Sequence, residues 1–403
     1  MNAESMGEKQ MRTTINLWLG KITTTYLHLI RCLAVALVLL VVHPAAAQRA
    51  ETGTVEADGT LVVHELRLPP SQFNSEEFNK AYAKYEQDVQ NWPHPPAWDA
   101  SKAEWDKFDA AADRLVYGPG YEYAKKTYPV DVVETKIGGV HVGIVTPKGG
   151  VKPGNEHRVL LSVHGGGFFM GGRSLVGGLA ESIPVASLTG MKVVTVDYRM
   201  APYFQYPAAS EDTEAVYREL LKQYKPESIG MYGCSAGGLL TAQSVVWFRS
   251  KGLPRPGAVG IFCAAPGISG KDVFGKRGDS SMWTSTGLPW NEEFTREVGK
   301  FGSIHGLPYL RNADPNDPRA YPGMSDEELA KFPPSLFVTG TRASDLSPSS
   351  VAHAKFLKLG VDSQLYVQEG GTHGSFLNAA YNAPEARDVW TYIARWFDQK
   401  LQK

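Results

Sequence analysis

The chain has 403 residues, 43 % hydrophobic and 21 % charged, an ordinary balance for a globular protein whose core needs no disulfide scaffold. Its 41 basic and 42 acidic residues leave a formal net charge of −1, without any block of like charges. That excludes the basic stripe of a nucleic-acid binder and the charged tail of an interaction module.

The first stretch differs from the rest. Residues 32–42 are an unbroken apolar run, preceded by Lys21 and Arg31 and followed by Pro44 and Ala45-Ala46-Ala47. A basic region, a short apolar region and small residues at a cleavage site predict a secretory signal peptide over 1–47, cut near Ala47. The run is too short for a bilayer, which needs about 20 residues; a retained signal anchor that also enlists 26–30 is the alternative. Losing 1–47 removes four bases and two acids, so the mature chain carries −3 and is expected in the periplasm or outside the cell. Cys32 leaves with it. Cys234 and Cys263 remain in strand-like apolar contexts and are expected as buried free thiols, although export would permit a disulfide.

Residues 48–129 read as an N-terminal cap segment, rich in Trp, Tyr and Pro from 66 on, with helical patches at 76–90 and 102–115. Trp92, Trp98 and Trp105 either fill a small helical core or help to shape a pocket, and the two readings are compatible. From 130 to 403 short β-branched runs alternate with amphipathic stretches, which predicts an α/β fold with a mostly parallel sheet flanked by helices. Runs at 130–136 and 140–146, joined through Gly138-Gly139, predict a hairpin that opens the sheet. Strands follow at 158–163, 191–196, 228–232, 257–263, 335–339 and 363–367, and their near-continuous hydrophobicity fits burial on both faces. Helices are expected at 211–221, 235–248, 351–359 and 386–397. Residues 268–325 form a Gly/Pro-punctuated insertion with a helix at 290–300, placed to contribute to the cap. No internal repeat is visible.

Three local patterns carry chemistry. Gly233-Cys234-Ser235-Ala236-Gly237 fits G-x-S-x-G between a predicted strand and a predicted helix. A nucleophile elbow needs that placement, with small residues so that the strained turn clears its neighbours. His164-Gly165-Gly166-Gly167-Phe168 directly follows the strand at 158–163, and consecutive glycines let backbone N–H groups approach a substrate oxygen. Gly165, Gly166 and Ala236 are the expected donors of an oxyanion hole, each worth about 10²–10³ in turnover. A serine hydroxyl also needs a base. His373 lies in the glycine-rich loop 369–376 just after the last strand, a setting that no other histidine of the chain shares. Asp345 is the only carboxylate of the loop 340–347 after the preceding strand, and its role is either to orient His373 or to cap the helix near Ser347.

These motifs, together with Asp197–Pro202 (DYRMAP) and Tyr206–Asp212 (YPAASED), resemble those of the hormone-sensitive lipase-like group of α/β-hydrolase fold esterases. The resemblance covers roughly 130–400 and makes 130–403 the catalytic domain. It implies an eight-stranded sheet, a helical cap built partly from N-terminal residues, and hydrolysis of short-chain carboxylic esters with no cofactor and no metal. It also implies that Asp197 and Arg199 brace the oxyanion loop. In this group the acid commonly lies about 30 residues before the histidine, whereas Asp345 precedes His373 by 28. Either the loop is reshaped to let Asp345 reach His373, or the triad is incomplete.

The expected activity is therefore a serine carboxylesterase with catalytic Ser235, His373 and Asp345. An amidase, a lactonase, a sugar acetyl esterase and a non-catalytic ligand-binding protein on the same scaffold are the alternatives. The expected partner is a small-molecule ester, with no nucleic acid, no stable membrane span in the mature chain, and a homodimer as the candidate assembly.

Overall fold

In a computed structural model, residues 53–58, 60–63, 67–267, 281, 285 and 307–402 are described. The signal region 1–47 and the helix expected at 290–300 lie outside them. Two compact units divide the chain at Pro69 and Pro70. In the first, β1 (Gly53–Val55) and β2 (Leu61–Val63) pair antiparallel, a hairpin that periodicity missed because each strand is only three residues long.

The second unit holds an eight-stranded sheet. Its strands are β3 (Val130–Ile137), β4 (Val140–Pro147), β5 (Val159–Val163), β6 (Lys192–Val196), β7 (Ile229–Cys234), β8 (Ala258–Phe262), β9 (Ser335–Gly340) and β10 (Ser363–Gln368). The order across the sheet is β10-β9-β8-β7-β5-β6-β4-β3. Pairing is parallel from β10 through β6; only β6–β4 and β4–β3 are antiparallel. This is the mostly parallel sheet expected, with every strand within two residues of its predicted bounds. β5, β7, β8 and β9 are buried along their whole length, as strands covered on both faces must be.

The helices are α1 (Glu76–Asp88), α2 (Lys102–Ala112), α3 (Gly118–Thr127), α4 (Val176–Thr189), α5 (Ala208–Leu220), α6 (Ala236–Ser250), the single turn α7 (Asp326–Leu329), α8 (Leu346–Lys358) and α9 (Pro384–Lys400). A π-helical turn, Asp113–Tyr117, joins α2 to α3. Alternate residues of each central strand feed two cores. Leu161, Val194 and Met231 meet Val216 of α5, Leu239 of α6 and Phe356 of α8 on one face. Leu160, Val193 and Tyr232 meet Ala124 of α3, Ile183 of α4 and Phe397 of α9 on the other. α8 begins five residues before the stretch predicted for it, because Pro348 falls in its first turn, where a missing N–H loses no hydrogen bond.

A third, aromatic cluster joins α2 to the loop after β5. Trp98 stacks on Trp105 with ring centres 5.2 Å apart, and Phe169 meets Trp98 edge-on at 5.7 Å. Trp105 is completely buried, so these tryptophans do fill a small core, and through Phe169 that core rests on the glycine loop. Trp92 packs against this cluster too and meets Tyr85 of α1 edge-on.

Candidate active site

The crossover from β5 to β6 runs to one side of the sheet and that from β6 to β7 returns across β5, so β5 and β7 are neighbours at a switch in winding direction. In such sheets the carboxyl ends of the strands on either side of the switch open a crevice. The glycine loop leaves the end of β5, Ser235 the end of β7, Asp345 follows β9 and His373 follows β10.

Ser235 has φ 59° and ψ −122°, a conformation that L-residues rarely adopt, held between Cys234 of β7 and Ala236 of α6. The neighbouring glycines make it feasible. A Cβ on Gly237 would stand 1.9 Å from the Val163 carbonyl oxygen, and one on Gly233 2.0 Å from the same atom. The elbow and the end of β5 are thus in backbone contact.

The glycine loop lies directly over that elbow: a Cβ on Gly165 would come within 2.8 Å of the Cys234 carbonyl oxygen and 3.3 Å of Ser235 Cβ. Gly166, Gly167 and Phe168 all have positive φ, which turns successive peptide groups. One expectation needs correction here. The Gly165 N–H donates to Glu181 Oε1 at 2.9 Å, so it is not available to a substrate oxygen. The N–H groups of Gly166, Gly167 and Ala236 have no acceptor among the described residues. The free donors of the loop therefore start one residue later than its first glycine.

His164 opens the loop as a structural residue. Burial holds its pKa below the usual histidine range, its Nδ1–H donates to the Gly165 carbonyl at 2.6 Å, and its ring stacks on Tyr198. Tyr198 donates its hydroxyl to the His164 carbonyl at 2.7 Å. The residues on either side of Tyr198 are anchored: Asp197 by His141 at 3.0 Å, Arg199 by Asp212 at 2.9 Å. The bracing implied for Asp197 and Arg199 thus reaches the loop carbonyl through the tyrosine between them.

Asp345 is fully buried. Its Oδ1 faces His373 Nδ1 at 2.6 Å and its Oδ2 accepts the Thr339 hydroxyl at 2.6 Å. It stands at the N-cap position of α8, but its side chain makes no cap hydrogen bond, so the capping alternative does not describe it. The 28-residue spacing is bridged because the two loops interlock. Arg342 N–H donates to the Gly371 carbonyl at 2.9 Å, and a Cβ on Gly340 would stand 2.1 Å from that oxygen. The His373 loop also meets the elbow, since a Cβ on Gly374 would lie 3.7 Å from Cys234 Sγ. The Ser235 hydroxyl makes no hydrogen bond among the described residues; such contacts commonly tighten only when substrate is bound.

Cys234 and Cys263 are free and buried with their sulfurs in contact. Burial pushes both thiols above their usual range, which leaves them protonated and unreactive. Glu181, by contrast, was not singled out from sequence. It is a lone carboxylate in the apolar stretch 175–191, and that isolation is the signal that could have found it. No group of three or more His, Cys, Asp or Glu among the described residues could hold a metal ion. No helix among them is long and apolar enough to cross a membrane.

Several proteins that this chain resembles are named as esterases. Residues 160–377 match the family described as the alpha/beta hydrolase fold. An acetyl esterase of Salmonella paratyphi B is 26 % identical over 277 residues, 67 % of this chain and 80 % of that one. A Mycobacterium tuberculosis protein named as an acetyl-hydrolase is 35 % identical over 128 residues, 32 % of this chain and only 40 % of its own length. Among solved structures, esterase E25 superposes with a TM-score of 0.69 at 27 % identity, covering 85 % of this chain and all but 1 % of its own. Matched over more than half its length, the chain belongs to the α/β-hydrolase family, and like the esterases it resembles it is an ester-hydrolysing enzyme.

Proposed function

We propose that the protein is a serine carboxylesterase for short-chain acyl esters, working by two-step acyl transfer. Ser235 Oγ attacks the ester carbonyl while His373 takes its proton. Asp345 holds the imidazole with Nδ1–H toward its carboxylate and stabilises the imidazolium that forms. The negative charge that develops on the carbonyl oxygen is met by the N–H groups of Ala236 and of Gly166 and Gly167. His373 gives its proton to the departing alkoxide, which leaves as the alcohol. Water, deprotonated by His373, then attacks the acyl-enzyme, and collapse releases the carboxylic acid and restores Ser235. Every proton is returned, and no cofactor enters the balance.

The observation that carries this reading is the contact of His373 with the buried Asp345, on a loop that meets the strained Ser235 elbow. Preference for short acyl chains is supported by the acetyl esterase named among the relatives. The apolar run 32–42 and the small residues before Gln48 support action after export.

The test is hydrolysis of p-nitrophenyl esters from acetate to palmitate, with Ser235→Ala as control. Turnover that peaks at short chains and disappears in the variant is the expected result. Turnover that survives in Ser235→Ala, or peaks at palmitate, would refute the nucleophile or the chain-length assignment respectively. Silence on every chain length, with stoichiometric fluorophosphonate labelling of Ser235, would move the substrate to an amide, lactone or acetylated sugar.

A further inference from the structure

We propose that Glu181 is a positioning residue of this site: its carboxylate ties the oxyanion loop to the nucleophile elbow by accepting one backbone N–H from each. The proposal rests on the assignment of Ser235 as nucleophile and of the loop at 164–167 as part of the oxyanion hole.

The need for such a tie follows from the sheet. β5 and β7 pair only as far as Ser162 and Tyr232. Beyond that point β5 leaves the sheet as the glycine loop, while β7 runs on to Cys234. Two inward N–H groups, those of Gly165 and Cys234, are thereby left without a strand partner, and buried donors must be satisfied. Glu181 reaches into the gap from α4. Its Oε1 accepts from Gly165 N at 2.9 Å and its Oε2 from Cys234 N at 3.2 Å. Each bonded N–H lies one residue before a group assigned to the chemistry: Gly165 before Gly166, Cys234 before Ser235. The side chain thus spans the two halves of the site and sets their spacing.

Charge state matters to this role. An ionised carboxylate offers acceptors at both oxygens, whereas a neutral carboxyl or a carboxamide sets a donor against one of the two N–H groups. Glu181 is 3 % exposed. The titratable groups around it are Tyr117 of the π-turn, Tyr198 after β6, Tyr232 and Cys234 of β7, and Cys263 after β8. None of them can become a cation, so the two backbone N–H groups alone favour the ionised form. Burial outweighs them and pushes the Glu181 carboxyl up to about 8. As pH falls through that value the carboxylate takes a proton and one tie is lost, so turnover falls with it.

The test compares Glu181→Gln with the unaltered protein on p-nitrophenyl acetate across pH, counting competent sites by fluorophosphonate titration and checking the fold by circular dichroism. A kcat per titrated site lower by about 10²-fold is expected, the scale of a misplaced oxyanion donor, with KM changed by less than about three-fold. The ionisation near pH 8 should also vanish from the kcat profile of the variant. A folded Glu181→Gln with unaltered kcat, or with the same acidic limb, overturns the proposal. If that variant does not fold, Glu181→Asp replaces it: the charge stays but one methylene of reach is lost. Lower kcat with the limb retained is then expected, and unaltered kcat overturns the proposal. Should the unaltered protein show no Ser235-dependent hydrolysis at all, the esterase reading itself fails, whereas an active unaltered protein matched by an equally active, folded Glu181→Gln overturns only the role of Glu181.

Discussion

At Asp345 one fully buried carboxylate serves two neighbours, the Thr339 hydroxyl and the His373 ring. Asp345→Asn keeps the size and the Thr339 contact but places either an amide N–H against Nδ1–H or a single oxygen that must choose the histidine tautomer. The expected result is a loss of about 10⁴ in kcat with a folded protein, as when a triad acid is replaced by its amide elsewhere. Unaltered kcat would move the acid to another residue. Asp345 was legible as a candidate because it is the only carboxylate of its loop. Its partner was legible as one of two readings, His373 or the start of a helix, which the loop spacing alone left open. The role of Gly165 was misread for a related reason. Glycine is required there because a Cβ would stand 2.8 Å from the Cys234 carbonyl oxygen, and its N–H is taken by Glu181.

Among the longer elements of the second unit, the strands were legible and two helices were not. α4 is buried on almost every side, so it has no polar face for periodicity to detect. It also contains Gly177, Gly178 and Pro184, which read as breakers. Gly178 is there for packing, because a Cβ would stand 2.3 Å from Thr195 Oγ1 of β6. α3 opens with Gly118-Pro119-Gly120, again a turn signal by composition, and a Cβ on Gly120 would stand 2.5 Å from the Leu377 carbonyl oxygen. α2 was legible as the helical patch at 102–115, and it starts on a capping box in which Ser101 and Glu104 exchange hydrogen bonds. Its two anchors should differ in strength. Ser101→Ala is expected to lower stability by about 1 kcal/mol, and Trp105→Ala by about 3–5 kcal/mol. Urea unfolding of both variants checks the order, and a reversal would mean that α2 is held by its exposed surface and not by the aromatic cluster.

At the scale of the whole molecule, buried acids couple stability to pH. Burial raises Glu181 from 4.5 to about 8 and, in the α2 cluster, Asp109 from 3.8 to about 6. For both groups the folded state holds its proton to a higher pH than the unfolded chain does. Stability contributed by these groups is therefore full below about pH 4 and declines as pH rises, to about 6 for Asp109 and about 8 for Glu181. Melting temperature is expected to fall between pH 5 and pH 8, and Glu181→Gln to flatten that slope. Thermal unfolding followed by circular dichroism measures it, and an unchanged slope in the variant would remove Glu181 from the account. Activity and stability then run in opposite directions over the same interval, because the ionised carboxylate that positions the loop is also the form most costly to bury.

The order of strands, helices and reactive motifs was determined by the sequence itself. Buried strands need apolar runs, the elbow and the oxyanion loop need glycine at particular steps, and these demands are met within a few consecutive residues. Which groups are paired and which are free was decided only by the tertiary structure. The Gly165 N–H is taken by a carboxylate 16 residues away, the Cys234 N–H by the same carboxylate 53 residues away, and His373 finds Asp345 across 28 residues. Hydrogen bonds are short-ranged in space and indifferent to distance along the chain, so these partners exist only once β5 lies beside β7 and β9 beside β10.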